Sequence, residues 1–352
     1  MTEAVRSRPA PSLGALVAYA GGALTAATTL GVGVLVGQVL IARWTIPGAE
    51  APPPRSTGRY GHEYGDGPPL RLAVIGDSTA AGYGVHTRAE TPGALLATWI
   101  AEAAARPVQL TCPALVGSLS AWLPGQVETA LDAGCDLAVI FIGANDVTAK
   151  SSAAKAVRYL AEAVRTLHAA GTEVVVATCP DLGTIRPIQP PLRWLARRWS
   201  RQLAEAQTVA VVREGGRTVS LGNLLGPAFD ASPETMFGDD RYHPSSVGYR
   251  TAAEVVLPAA LQALHLTDAD VATTGERPLS VDDAAALAAH RPGTQVRPAG
   301  PVGQRHGLAA AWVRRHASWI RHRSARSTAA PEAGLAVPSV GELAIPTEKG
   351  VS

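Results

Sequence analysis

Five short apolar runs recur along the middle of the chain: Leu70–Ile75, Val108–Thr111, Leu137–Ile142, Glu173–Thr178 and Arg217–Leu221. Stretches of helical periodicity separate them. Three of them, Leu70–Ile75, Leu137–Ile142 and Glu173–Thr178, rich in Val and Ile and apolar at most positions, suit strands buried on both faces rather than on one. A strand followed repeatedly by a helical crossover allows few architectures. The alternation predicts an α/β domain in which helices cover both sides of a five-stranded parallel sheet. Expected helices cover 95–105, 121–133, 153–170, 192–212 and 246–264. The third carries Ala156, Tyr159, Leu160, Val164 and Leu167 along one face.

The ends differ in character. No charged residue occurs from Leu13 to Ala42, and about 20 apolar residues suffice to cross a bilayer core. A secretory apolar core is usually only about 7 to 15 residues long, so residues 13–43 are expected to be an uncleaved transmembrane anchor. A cleaved form would end after Ala49-Glu50-Ala51, awkwardly before Pro52. Arg6 and Arg8 precede the run while Arg43, Arg55 and Arg59 follow it, so the count of positive charges does not orient it. We expect the α/β domain on the extracytoplasmic side. The domains read as a short segment 1–12, the anchor 13–43, a Pro- and Gly-rich linker 44–69, the α/β domain 70–266, and a mostly disordered tail 267–352. Within the tail, residues 306–323 bring Leu308, Trp312, Val313, Trp319 and Ile320 near one helical face beside several Arg, predicting a basic amphipathic helix.

The net charge of the 352-residue chain is +2, which gives no basis for a nucleic-acid partner. Cys112, Cys135 and Cys179 form no C-x-x-C pair, and no His stands at metal-ligand spacing, so neither a metal nor an organic cofactor is expected. Cys135 precedes a strand while the other two follow strands, so three unpaired thiols are the favoured reading. On the helix after the loop 180–191, Arg193, Arg197, Arg198 and Arg201 interleave with Trp194 and Trp199; a solvated Arg face with Trp turned inward is the default, and a rim for anionic substrates or acidic lipid headgroups is the alternative.

Parallel sheets place their sites at strand C-termini. Ser78 follows the first strand in Gly76-Asp77-Ser78, Gly117 follows the second, and Asn145 follows the third in Gly143-Ala144-Asn145-Asp146. Asp240 and His243 lie in the last long loop, before the closing helix. A serine hydroxyl is a weak nucleophile until a base takes its proton. His243 has a carboxylate at i−3, so Asp240 can accept from ring Nδ1 and leave Nε2 for Ser78, whereas Asp239 lacks that spacing. The backbone amides of Ser78 and Gly117 and the side-chain amide of Asn145 offer donors to a developing oxyanion. Gly125 competes with Gly117, but the distance from the preceding strand favours Gly117. Asp77 and Asp146 are expected to brace their own loops, and His62, His86 and His168 to lie on the surface.

These four blocks resemble those of the SGNH hydrolases, also called the GDSL esterase/lipase family, over roughly residues 71–264. The resemblance implies a three-layer α/β/α sandwich with a five-stranded parallel, flavodoxin-like sheet. It also implies a triad at Ser78, Asp240 and His243, with oxyanion donors at Ser78, Gly117 and Asn145. Tyr249 likewise resembles the start of the family's closing helix. The residue after Gly-Asp-Ser is often Leu in the family; here it is Thr79. The expected activity is hydrolysis of carboxylic esters of lipid or glycan. Few aromatic residues and no obvious lid favour short acyl or acetyl groups. Acyl transfer by the same triad, and a catalytically idle module binding envelope glycan or lipid, remain open at this stage, as does the oligomeric state.

Overall fold

Residues that alternate along the central strands enter opposite faces of the sheet, and both faces are covered. Ala73, Ile75, Ala138, Ile140, Val174 and Val176 belong to one buried cluster, while Leu72, Val74, Val139 and Val175, one position out of phase, are buried as well. The computed structural model describes residues 28–41, 51–149, 151–222, 232–267, 279–291, 293–298 and 308–311. Its strands are β1 (Gly58–Tyr60), β2 (Leu70–Gly76), β3 (Val108–Thr111), β4 (Leu137–Phe141), β5 (Glu173–Ala177), β6 (Arg217–Val219), β7 (Gln295–Pro298) and β8 (Leu308–Ala311). The helices are α1 (28–41), α2 (Ser78–Ala81), α3 (Pro92–Ala104), α4 (Leu123–Asp132), α5 (Ala144–Thr148), α6 (Ala153–Ala169), α7 (Leu192–Arg213), α8 (Pro233–Met236), α9 (Ser246–Ala263) and α10 (Val281–His290).

The strands lie in the order β1-β3-β2-β4-β5-β6-β7-β8. The five expected strands run parallel in the middle as β3-β2-β4-β5-β6, the flavodoxin-like order. The expectation of a sheet limited to five parallel strands needs correction, because the sheet is mixed and has eight strands. β1 pairs antiparallel with β3, Gly58 opposite Leu110, and β7 and β8 extend the other edge antiparallel to β6. Each addition comes from a segment outside the βα alternation, and each covers an edge whose backbone groups would otherwise need water.

Leu123 and Val127 of α4, Leu160, Val164 and Leu167 of α6, and Val211 of α7 complete the cluster on one face. Helices α3 and α9 pack together on the other side of the sheet. The mostly disordered tail expected from residue 267 is likewise revised. Val281, Ala284 and Ala288 of α10 pack with Val212 of α7 and Val296 of β7. Small residues hid this helix from a reading that sought large apolar side chains. Leu308–Ala311, placed in the expected amphipathic helix at 306–323, forms β8 instead; residues 312–323 lie outside the described residues. Of the expected anchor 13–43, residues 28–41 form α1, and residues 13–27 and 42–43 lie outside the described residues. Among the described residues no helix is long and apolar enough to cross a membrane.

Helix α7 departs from its expected orientation. Trp194 is 64% exposed and Trp199 40% exposed, while Arg197 and Arg201 both pair with the fully buried carboxylate of Asp181, at 3.3 and 2.9 Å. A buried carboxylate requires partners more strongly than an indole requires burial, so the Asp181 loop draws these two Arg inward.

Gly76, the last residue of β2, has φ 140°, and a Cβ there would overlap the Phe141 carbonyl on the neighbouring strand. Gly76→Ala is therefore expected to cost at least about 3 kcal/mol of folding stability; urea unfolding of the variant beside wild type checks this.

Candidate active site

The C-terminal ends of β2, β4 and β5 open into one site, and buried amides hold them there. The Gln126 side chain, reaching from α4, donates to the Gly76 carbonyl at 3.0 Å and accepts from the Gly76 amide at 2.7 Å. Its Nε2 also meets Ser118 Oγ at 3.1 Å, which ties the loop after β3 to the loop after β2. Gln207 of α7 does the same for the next strands, donating to Ile142 O at 3.0 Å and accepting from Cys179 N at 2.8 Å. Sequence reading passed over both glutamines. The available signal was an uncharged polar residue on a largely apolar helix face.

After Gly76 the chain turns into the one-turn helix α2. Asp77 caps it by accepting from the Thr79 amide at 2.9 Å, which leaves Ser78 as its first residue. Ser78 Oγ lies 2.9 Å from His243 Nε2, and His243 Nδ1 lies 2.6 Å from Asp240 Oδ2. Asp240 is 5% exposed, and its other oxygen accepts the amides of Tyr242 and His243, each at 2.9 Å. Burial opposes its charge, yet the bond to the His243 ring and these two amides together hold its carboxyl below the usual range. Asp239, the competing carboxylate, is exposed.

The loop carrying Asp240 and His243 is a closed turn. Gly238 N donates to His243 O at 2.8 Å, Arg241 N to Gly238 O at 2.9 Å, and Ser245 N to Met236 O at 2.9 Å. Arg241 takes the left-handed conformation at φ 53°, uncommon for a side chain of this kind, and so turns Asp240 back toward the ring. Tyr83 and Tyr242 meet the imidazole edge-on, with centroids 4.7 and 4.9 Å away. The fully buried Tyr249 donates to the Tyr83 carbonyl at 2.8 Å. The two tyrosines flanking His243 were not singled out from sequence, because aromatic contact across loops leaves no spacing signature.

Asn145 lies in α5 and donates from Nδ2 to Ser118 O at 3.0 Å. It lines a small recess of about 70 Å³ together with Ser78 and His243, and a larger adjoining groove together with Gly117. Gly117 sits exposed in the loop after β3 at φ 81°, and a Cβ there would meet nothing within 4 Å; its role in the structure is a backbone conformation, beside open space. Gly125, by contrast, lies within α4. Asp146 braces the Ser120 turn, accepting from Ser120 Oγ at 2.7 Å, and burial raises its carboxyl despite those bonds. His62, His86 and His168 are all exposed. Cys135 and Cys179 are buried, Cys112 is half-buried, and all three are free thiols. Hydroxyl, imidazole and carboxylate thus stand in one hydrogen-bonded series beside polar N–H groups.

Burial also pushes the Asp77 carboxyl up to about 6 from its usual 3.8, with the Thr79 amide offsetting only part of the effect. Between these values the native state binds more protons than the unfolded chain, so this group lowers stability as pH rises through that window. Asp77→Asn keeps an acceptor for Thr79 and removes the charge. It is expected to stabilise the fold by about 1–3 kcal/mol at pH 7.5 and to make little difference at pH 3; denaturation at the two pH values tests the sign.

Residues 74–251 match the model of the GDSL-like lipase/acylhydrolase family. A GDSL-like esterase of Mycobacterium tuberculosis is 43% identical over 258 residues, which are 70% of this chain and 82% of that protein. Among solved structures, TesA aligns at TM-score 0.42 and 20% identity over 55% of this chain and 99% of its own. A variant acetyl xylan esterase of Geobacillus stearothermophilus aligns at 0.43 and 18%, over 58% and 98%. With the family model spanning half of its length and a relative of this identity covered over most of its own, the chain belongs to the GDSL-like lipase/acylhydrolase family, the SGNH hydrolases, and is a carboxylic ester hydrolase.

Proposed function

We propose that Ser78, His243 and Asp240 form the catalytic triad of a serine esterase acting through an acyl-enzyme. The observation that carries this reading is the pair of contacts at the imidazole, 2.9 Å to Ser78 Oγ and 2.6 Å to Asp240 Oδ2. In acylation, Ser78 Oγ attacks the ester carbonyl carbon while His243 Nε2 takes the hydroxyl proton, and Asp240 holds the ring and stabilises the imidazolium. The carbonyl oxygen gains negative charge, which the Ser78 and Gly117 amides and the Asn145 carboxamide receive. Collapse expels the alcohol, protonated by His243. Water, deprotonated by the same nitrogen, then attacks the acyl-serine and releases the acid. The preferred substrates are esters of lipid or glycan with short acyl or acetyl groups; the small recess at Ser78 suits a compact reacting centre.

Ser78→Ala and His243→Ala are each expected to lower kcat for p-nitrophenyl acetate by about 10³-fold or more. Asn145→Ala is expected to lower it by about 10²- to 10³-fold with KM little changed. A folded Ser78→Ala protein retaining wild-type turnover would refute the assignment.

We further propose that residues 13–43 anchor the chain in a membrane with the catalytic domain on the extracytoplasmic side. Leu30, Val32, Val34, Val36, Leu40 and Ile41 of α1 are all exposed, a concentration of apolar surface that water disfavours. The full chain is expected to stay in the membrane fraction through alkaline carbonate washing; quantitative release into the wash would remove the anchor.

A further inference from the structure

Helix α1 does not stand clear of the domain. Leu35, Gln38 and Val39, at i, i+3 and i+4, are its partly buried side chains of any size, while the six apolar residues named above face outward. Gln38 makes the attachment. Its Nε2 donates to the Pro190 carbonyl, and its Oε1 accepts the Leu192 amide at 3.1 Å. Leu192 is the first residue of α7, so that amide has no partner within its own helix. One carboxamide thus caps α7 and pins α1 against the loop that precedes it.

The attachment places Val39 in the wall of a groove of about 550 Å³. Trp122, Leu182, Ile188, Leu192 and Trp199 form other parts of the wall, and the groove runs to Gly117 and Asn145. His243 and Pro244 line the small recess and not this groove. That division has a chemical consequence. The leaving alcohol must take its proton from His243 Nε2 and therefore departs on the side of the recess. With the carbonyl oxygen directed to Gly117 and Asn145, the acyl carbon chain continues on the other side, into the groove.

We infer that this groove is an acyl-chain subsite, that Val39 of α1 is a specificity-determining residue within it, and that Gln38 is the positioning residue that holds α1 there. The inference rests on the esterase reading and deepens it. The ligand is the hydrocarbon chain of a medium-length acyl ester, which moves the preferred acyl group from acetyl toward longer chains and leaves the recess to the reacting centre and the alcohol. Because the same helix presents its other faces as exposed apolar surface, an ester dissolved in a lipid phase could pass along α1 into the groove without crossing water.

The test uses the full-length chain and p-nitrophenyl acetate, butyrate, hexanoate and octanoate, with octyl acetate as the long-alcohol substrate, each below its micelle concentration. In wild type, kcat/KM is expected to rise by roughly fourfold per methylene buried until the groove is filled. Val39→Trp, which fills the groove, should lower the octanoate-to-acetate ratio of kcat/KM by about tenfold or more, mainly through KM, whereas Val39→Ala should not lower it. Gln38→Leu, which removes both polar contacts, should flatten the chain-length dependence. A wild-type octanoate-to-acetate ratio in Val39→Trp overturns the proposal. So does a Val39→Trp effect confined to octyl acetate, which would give the groove to the alcohol. Absence of Ser78-dependent acetate hydrolysis in wild type would instead bring down the esterase reading, and this inference with it.

Discussion

The two-way hydrogen bond between the Gln126 carboxamide and the backbone of Gly76 is the contact on which the site's geometry most depends. Gly76 ends β2 so close to Phe141 of β4 that no side chain fits, and in leaving the ladder its peptide groups need another partner. Gln126 supplies one for both groups and, through Ser118, connects them to the loop bearing Gly117. Ser78 and Gly117 are thereby referenced to the same carboxamide. Buried and satisfied amides of this kind locate loops more sharply than apolar contacts can, because their hydrogen bonds are directional and costly to leave unmade.

A second tier of contacts carries the geometry to His243. Its loop is closed by its own backbone bonds and bent by the left-handed Arg241, and it meets the Ser78 side through the bond to Ser78 and the edge-on contact with Tyr83, itself anchored by Tyr249. Charge is managed differently at each buried carboxylate. Asp240 is surrounded by donors and stays ionised, Asp181 is paired with two Arg, and Asp77, with one amide donor opposing its burial, is raised toward neutrality. The carboxylate that faces the imidazole is thus the one whose charge is held by hydrogen bonds to the ring and two backbone amides.

Much of this was legible in the chain. The strands were found within a residue or two at each end because buried parallel strands demand apolar residues at consecutive positions. Ser78 and Asn145 were legible as residues just past strand C-termini, where a parallel sheet leaves space, and Asp240 and His243 as a carboxylate–imidazole pair at i, i+3 in the last long loop. What escaped notice has physical reasons as well. α10 is built from alanines and covers α7 with little apolar bulk, and β1, β7 and β8 are too short to carry a period. The inward turn of Arg197 and Arg201 answers a carboxylate over a dozen positions earlier, outside any helical window.

By itself the sequence determined the parallel core and its strand sequence, and the edge of the sheet at which its polar candidate residues gather, since these follow from local periodicity and from the handed, short connections between strands. Tertiary structure alone decided the distances among Ser78, His243 and Asp240, the antiparallel edges, the glutamines that hold the loops, and the seating of α1 beside the groove at Gly117 and Asn145. Those features depend on side chains that meet from positions far apart in the chain. Packing and hydrogen-bond geometry, which have no period along the sequence, select such meetings.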